Sequence, residues 1–234
     1  MTGTEFPFHS GNESGSLNLG PLRFHCFGAP GAGNRFIWVH GDETTAGDIL
    51  HLLANNGERC YAIDNDRRNF TVDAIQFNPN RIFTEIGARK DLQQLNPAAT
   101  PEALKPILRD LDRDRSSFLE NIFPPDGGVL TALHNNFESY TIASELDRSA
   151  QVHFPEKDRP RDFFLAVDAD DYRRLSQGPF NVLLQDQPGI DDGSLSCAAL
   201  AAGVRYVNIE TELGMRERQQ SMVDWLIQAL IDGP

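Results

Sequence analysis

Short apolar runs alternate with longer amphipathic stretches along this chain. Short apolar or alternating runs predict strands, whereas apolar residues that recur at every third or fourth position predict helices. The predicted strands cover residues 21–27, 36–39, 60–64, 129–133, 163–167, 181–184 and 205–209. The predicted helices cover residues 46–55, 101–122, 169–175, 194–202 and 216–231. Strands that alternate with helices indicate a single α/β domain, with a mostly parallel or mixed central sheet flanked by helices.

Polar residues and a glycine mark the ends of several predicted helices. Thr44 or Thr45 is placed to cap the first helix, and Thr100, followed by a proline, opens the second. Gly203 is a suitable stop for the helix that precedes it. Residues 77–83 contain one proline and two asparagines, so this segment is predicted to be a non-helical loop.

The length of the chain sets the number of domains. Its 234 residues, 40% of them hydrophobic, are enough for one domain with a large hydrophobic core and too few for two domains of ordinary size. Residues 1–20 are polar and rich in glycine and serine, and we expect a flexible N-terminal arm there. Residues 21–234 then form the α/β domain.

Charge and cysteine content narrow the range of partners. The chain has 34 acidic and 21 basic residues and a formal net charge of −13, so we expect no nucleic-acid partner. We expect no membrane span, because no apolar run reaches about 18 residues. The three cysteines form no CxxC pair, which argues against a thiolate metal site. Residues 1–16 lack the apolar core of a signal peptide, so we expect a soluble, cytoplasmic protein unless a signal peptide has been removed.

A histidine and a glutamate follow a predicted strand in the tetrapeptide HGDE (residues 40–43). His40 and Glu43 can direct an imidazole nitrogen and a carboxylate oxygen at one point, and His134 follows the apolar segment 129–133. Two histidines and one glutamate, with a fourth position open, are a recurring ligand set of catalytic zinc. The pattern therefore predicts a zinc site, although a histidine at a strand end often serves only as a hydrogen-bonding residue.

A second acidic motif ends the last predicted strand, where Glu210 and Glu212 occur. A zinc hydrolase needs a carboxylate that moves a proton to the leaving amine, and a glutamate is costly to bury without a partner. Both residues lie on one face by the two-residue period of a strand, so either can be the base. We favour Glu210, which directly follows the apolar strand. The alternative is that each is a solvent-facing glutamate.

Arg81 follows Asn80 in the proline-containing loop. Arginine binds a carboxylate through two parallel N–H bonds and can also polarise a carbonyl oxygen. Beside a metal ion it would suit a substrate with a free carboxylate. The alternative is an ordinary surface ion pair in an acidic protein.

Four motifs occur in the order HGDE (40–43), NPNRIF (78–83), ALHN (132–135) and ETELG (210–214). This series resembles the zinc carboxypeptidase superfamily, and within it the branch of aspartoacylase and succinylglutamate desuccinylase-like proteins. The resemblance spans about residues 35–215 and implies a zinc carboxypeptidase-like fold.

The resemblance also implies roles for particular residues. It implies that His40, Glu43 and His134 are zinc ligands, and that Asn80 and Arg81 bind a substrate carboxylate or polarise the substrate carbonyl. The residues 212–214 resemble the Glu-x-Gly of the deacylases, which favours Glu212 as the base, so the choice between the two glutamates stays open.

The function implied is a zinc-dependent amide hydrolase of the carboxypeptidase or N-acyl amino acid deacylase type. Its substrate would be a small molecule or short peptide that bears a carboxylate. Leu133 stands where the family usually has an aspartate that orients the third ligand, so another partner must orient His134. This difference supports an alternative, a non-catalytic metal- or ligand-binding domain of the same fold. A metal hydrolase that acts on esters is a third possibility.

Overall fold

The computed structural model describes residues 13–231, except residues 32, 126, 138 and 188. The described residues form eleven strands. These are β1 (Glu13–Leu19), β2 (Leu22–Phe27), β3 (Arg35–Trp38), β4 (Arg59–Ile63), β5 (Phe70–Val72), β6 (Ile75–Phe77), β7 (Leu130–Asn136), β8 (Gln151–His153), β9 (Phe163–Ala166), β10 (Asn181–Leu184) and β11 (Tyr206–Glu212).

Six α-helices connect the strands in the described part of the chain. These are α1 (Thr44–Asn55), α2 (Glu85–Leu95), α3 (Pro101–Ile122), α4 (Ala169–Leu175), α5 (Leu195–Ala202) and α6 (Arg216–Leu226). Two 3-10 segments, Pro79–Arg81 and Ile142–Arg148, lie in the loops, and a π-helical turn, Ile227–Ile231, continues α6. None of these helices has the length and apolarity needed to cross a bilayer.

Nine strands form one sheet in the order β1-β2-β4-β3-β7-β11-β9-β10-β8, and β5 pairs with β6 in a separate hairpin. The central strands β4, β3, β7 and β11 are parallel, as are β9 and β10. The remaining pairs are antiparallel. The predicted single α/β domain with a mixed central sheet is therefore confirmed.

The middle of the sheet is buried on both faces. Every residue of β4, β7, β9 and β10 is buried, because helices pack against the sheet. The long helix α3 begins as predicted, with the Thr100 side chain accepting a hydrogen bond from the Ala103 amide. Gly203 ends α5 in the left-handed conformation, with φ of 66°.

The predicted flexible arm over residues 1–20 does not extend over residues 13–19, which are ordered. Residues Glu13–Leu19 form the edge strand β1, which pairs with β2. Most side chains of β1 are exposed, so its stability comes from backbone pairing, which leaves no hydrophobic pattern in the sequence. Residues 1–12 lie outside the described part of the chain.

The first helix differs from its prediction at its N-terminus. The N-cap position of α1 is Glu43 and not Thr44 or Thr45, and no side chain of the cap residue bonds to the helix. Instead, the side chain of Asn135 in β7 accepts a hydrogen bond from the Ala46 amide at 2.8 Å. A residue of the sheet therefore caps the helix, and the Glu43 carboxylate is available for other partners.

Candidate active site

Three adjacent parallel strands, β3, β7 and β11, carry the candidate residues to one edge of the sheet. His40 lies just beyond β3, while His134 in β7 and Glu210 in β11 face each other in register. We expected the last two to follow their strands directly, but β7 and β11 extend past them to Asn136 and Glu212. The carboxyl ends of parallel strands are the usual place for a ligand site in an α/β sheet.

The glycine of the HGDE motif permits a close contact between two loops. A Cβ atom on Gly41 would lie 1.7 Å from the carbonyl oxygen of Asn65. The Gly41 amide also donates a hydrogen bond to the Arg67 carbonyl at 3.2 Å. A side chain at this position would push the loop after β4 away from the site.

Arg68, in the loop after β4, orients two of the candidate metal ligands. Its carbonyl oxygen accepts a hydrogen bond from Nδ1 of His40 at 3.1 Å, which leaves Nε2 of His40 without a proton when the ring is neutral. Its guanidinium donates to Oε1 of Glu43 at 2.9 Å. Sequence reasoning did not find Arg68, because it lies outside every recognised motif.

His40, Glu43 and His134 form one buried cluster. Each offers a ligand atom within 4.8 Å of the others, and the two imidazole centroids are 5.5 Å apart. Oε2 of Glu43 lies 3.0 Å from Nδ1 of His134. The Glu43 side chain is fully buried, and Nε2 of His134 is buried without a hydrogen-bond partner among the described residues.

Burial and mutual attraction shift the pKa of each residue in this cluster. Burial lowers the pKa of His40 to about 3, so its imidazole is neutral at pH 7. Burial would raise the pKa of Glu43, but its interactions with His134, His40 and Arg68 outweigh burial, and the pKa lies below its ordinary value. Burial disfavours protonation of His134, yet the Glu43 carboxylate outweighs it and raises the pKa. A metal ion would replace that proton beside an ionised carboxylate.

Glu210 is a buried carboxyl group close to this cluster. Its side chain accepts hydrogen bonds from Asn208 at 3.1 Å and from Asn136 at 3.3 Å. Burial raises the pKa of Glu210 to about 7, since attraction to His134 only partly offsets the loss of hydration. A carboxyl group with this pKa can both accept and release a proton near neutral pH.

All of these groups line one cavity of about 300 Å³, together with Asn80 and Arg81. The side chain of Asn80 accepts a hydrogen bond from the Leu195 amide at 3.3 Å, which ties the loop to the start of α5. Arg81 donates to the Asn80 carbonyl at 2.9 Å. The structure thus brings His40, Glu43 and His134 together with Asn80, Arg81 and Glu210.

Glu212 lies outside this cavity. Its side chain is about half exposed and pairs with Arg161 at 3.1 Å. Although Glu210 and Glu212 lie on one face of β11, the cavity ends before the last residue of the strand. The structure therefore separates two glutamates that the sequence left equivalent.

The cavity is also lined by polar residues that belong to none of the four motifs. Arg148 and Arg81 both face Oδ2 of Asp192, at 2.9 Å and 3.8 Å. Glu145 accepts hydrogen bonds from the Tyr140 hydroxyl and from the Gln185 amide, each at 2.7 Å. Three of these residues belong to the 137–148 segment, whose short 3-10 turn has no hydrophobic period that would mark it in a sequence.

The cluster of His40, Glu43 and His134 suits a metal ion. Two imidazoles and a carboxylate are ligands for divalent transition metals. Two ligand atoms bound at about 2 Å to a tetrahedral ion lie about 3.3 Å apart, so atoms within 4.8 Å of one another need to approach by at most about 1.5 Å to share one ion. The buried, unpartnered Nε2 of His134 is available to bind such an ion.

No protein-family model matches this sequence, and no curated protein matches it. Among solved structures, a "putative metallopeptidase" from Shewanella baltica is 14% identical, with a TM-score of 0.46; the match covers 92% of this chain and 86% of that one. A second such protein, from Shewanella amazonensis, is 12% identical, with a TM-score of 0.41 and the same coverage. A metallo-carboxypeptidase from Burkholderia cenocepacia is 11% identical, with a TM-score of 0.44, over 97% of this chain and 65% of that one. These values are too low to assign an activity, so the function of this chain has to follow from its own side chains.

Proposed function

We propose that this protein is a zinc-dependent amide hydrolase that acts on a small substrate with a free carboxylate. One observation carries the proposal: a His-Glu-His cluster lies in the same cavity as a buried glutamate whose pKa is about 7. A structural metal site needs no proton-transfer group beside it, whereas a hydrolytic one does.

His40, Glu43 and His134 would hold the zinc ion. Zinc, when bound, supplies a Lewis acid that makes water more acidic and polarises a carbonyl group. Arg68 keeps His40 and Glu43 in place through its carbonyl oxygen and its guanidinium. Glu210 is not one of the three proposed zinc ligands. Its carboxyl group is positioned by two side-chain amides and can therefore act on the substrate.

Glu210 would serve as the proton carrier of the reaction. As a carboxylate it would take a proton from the attacking water, and it would then give that proton to the leaving nitrogen. Asn136 and Asn208 fix its orientation by donating one hydrogen bond to each carboxylate oxygen. Glu212 is not proposed as the base, because Arg161 holds its side chain outside the cavity.

Arg81 and Asn80 would bind the substrate. Arg81 lines the cavity with a guanidinium that contacts Asp192 only at 3.8 Å, which leaves N–H groups for a substrate carboxylate. Arg148 forms an ion pair with the carboxylate of Asp192 and adds a second positive charge beside Arg81. A free carboxylate at one end of a peptide, or that of an N-acyl amino acid, matches this arrangement, in keeping with the motif resemblance to carboxypeptidases and aspartoacylase-like deacylases.

The test combines metal analysis with a substrate panel. The zinc-loaded protein should hold one zinc per chain and hydrolyse at least one member of a panel of N-acyl amino acids and short peptides with free carboxylates. The variant H40A should lose both properties, whereas H153A, which changes a histidine of β8 outside the cavity, should keep both. Zinc retained at full stoichiometry in H40A would contradict the ligand assignment.

A second candidate is a binding domain that holds a metal without catalysis. The observation that favours it is Leu133, an apolar residue that cannot orient His134 as the aspartate of the family would. Full zinc binding without turnover of any amide or ester in the panel would support this alternative.

A further inference from the structure

A second cavity, of about 350 Å³, adjoins the candidate active site. Arg68, Asn78, Arg81 and Asp192 line both cavities and form their common wall. Each volume is within the range of about 300–1,000 Å³ that small-molecule sites occupy. The two cavities are therefore neighbours, and the guanidinium groups of Arg68 and Arg81 face both of them.

The loop and helix around this second cavity are held together without a ligand. A Cβ atom on Gly87 of α2 would lie 2.0 Å from the Cα atom of Gly193, so the helix packs directly on the 191–194 loop. The Thr84 hydroxyl donates a hydrogen bond to Asp191 at 2.7 Å, and the Phe83 amide donates one to the Gly193 carbonyl at 3.0 Å. The cavity is thus part of the folded structure.

The charges around the second cavity are opposite to the charge of the whole chain. Its lining contains the three cations Arg68, Arg81 and Lys90 against two acids, in a protein with a net charge of −13. Both acids are engaged: Asp91 accepts a hydrogen bond from the Asn78 amide at 2.8 Å, and Asp192 accepts one from Arg148 at 2.9 Å.

Two of the cations have donors left for a ligand. Arg68 bonds to Glu43 through one nitrogen, and its side chain is 47% exposed. Lys90 is exposed and makes no hydrogen bond or ion pair with any described residue. An anionic group in this cavity would meet both side chains.

We propose that the second cavity binds the acidic side chain of the residue before the scissile bond of a peptide substrate. This proposal rests on the proposed function, since the peptide bond must lie at the metal cluster while its C-terminal carboxylate faces Arg81 and Arg148. Lys90 is then a specificity-determining residue. A cavity of this size beyond the cluster favours a peptide over an amino acid with a small acyl group.

The test compares N-acetyl-Glu-Gly with N-acetyl-Gln-Gly, which differ only in the charge of one side chain. In calorimetric titrations of the zinc-loaded protein at low salt, the Glu peptide should bind about fivefold more tightly, as one exposed ion pair allows. The variant K90Q should remove most of this preference without weakening the Gln peptide. R89Q, which changes the neighbouring exposed cation of α2, should preserve it. Added salt should reduce it.

The proposal would be overturned if the two peptides bound with equal affinity, or if neither bound measurably. It would also be overturned if K90Q and R89Q reduced the preference for the Glu peptide equally. Chromatography of the titrated samples reports hydrolysis separately. A charge preference without any cleavage would contradict the proposed function and support the side-chain site in the second cavity. Cleavage without a charge preference would support the proposed function and contradict that site.

Discussion

Glu210 and Glu212 are two residues apart in β11, yet their carboxyl groups have very different surroundings. Glu210 is buried between Asn136 and Asn208, where burial raises its pKa to about 7. Glu212 is about half exposed and paired with Arg161. Only the first can exchange a proton with a substrate in the cavity.

Replacing Glu210 should therefore separate catalysis from metal binding. We expect E210Q to lower kcat by about 100-fold to 10,000-fold, the range for loss of a general base, while zinc content stays unchanged. The matched change E212Q should leave kcat near the wild-type value. Steady-state kinetics with metal analysis would measure both, and an inactive E212Q beside an active E210Q would reverse the assignment.

Asp192 is the residue through which pH should act on stability. Burial would raise its pKa, but the charges of Arg81 and Arg148 and the hydrogen bond from Ser194 outweigh this and hold the pKa well below its usual range. A group with a lowered pKa in the folded state stabilises the protein above its unfolded pKa of about 3.9, and this contribution is lost as the pH falls through the folded value.

The variant D192N should reveal this contribution. At pH 7 we expect its free energy of unfolding to be about 2 kcal/mol lower than that of the wild type, because two guanidinium groups lose a charged partner. Between pH 4 and pH 2 the difference should shrink. Urea unfolding at each pH measures it, and a difference that is constant or grows toward low pH would show that Asp192 is not stabilised as a carboxylate.

The sequence contains enough information to find some site residues and not others. His40, Glu43 and His134 adjoin apolar runs, so their positions at the sheet edge follow from the predicted strands. Arg68 and Arg148 do not follow from any pattern, because they lie in irregular segments whose path depends on tertiary contacts. Glu210 and Glu212 needed coordinates as well, since strand alternation gives them the same face.

At the scale of elements, the contact between α2 and the 191–194 loop connects the two cavities. Gly87 lets the helix backbone approach Gly193, and Gly193 in turn lies close to the Arg81 carbonyl. This contact sets the position of the wall that holds Arg81 and Asp192. Any side chain at position 87 would move that wall.

Substituting Gly87 should test this contact. We expect G87A to lower the free energy of unfolding by about 1–3 kcal/mol, a typical cost of overpacking, despite the better helix propensity of alanine. The control G33A, where a Cβ atom meets nothing within 4 Å, should change it by less than about 0.5 kcal/mol. Denaturant unfolding compares them, and a G87A variant as stable as the wild type would show that the two backbones are not in close contact.

Elements with strong hydrophobic patterns were predictable. The helix at 101–122 and the strand at 181–184 have the predicted bounds, since each buries a regular set of apolar residues. Helix α2 was missed because Leu92 is its only large buried apolar residue. The edge strands β1 and β8 are mostly exposed, and pairing with a neighbour holds them.

At the scale of the whole molecule, the parallel centre of the sheet brings distant residues together. His40, His134 and Glu210 come from three neighbouring strands, and α1 starts from the same edge with Glu43. A metal ion held by His40, Glu43 and His134 would link segments that are separate in the chain. Since the ion binds only the folded state, it should stabilise the entire domain.

Zinc should accordingly raise the melting temperature. At a free concentration of about 1,000 times its dissociation constant, zinc contributes about 4 kcal/mol, which corresponds to a shift of about 10 °C for a chain of this size. A chelator should reverse the shift, and H40A should show almost none. Scanning calorimetry would measure these changes, and an equal shift in H40A would place the stabilising ion elsewhere.

The most direct measurement is an anomalous difference map from crystals of the zinc-loaded protein, collected at the zinc absorption edge. The account predicts one strong peak within about 2.0–2.2 Å of a nitrogen of His40, a nitrogen of His134 and a carboxylate oxygen of Glu43, with Glu210 beside it and unbound. A zinc peak at other residues, with none among these three, would contradict it.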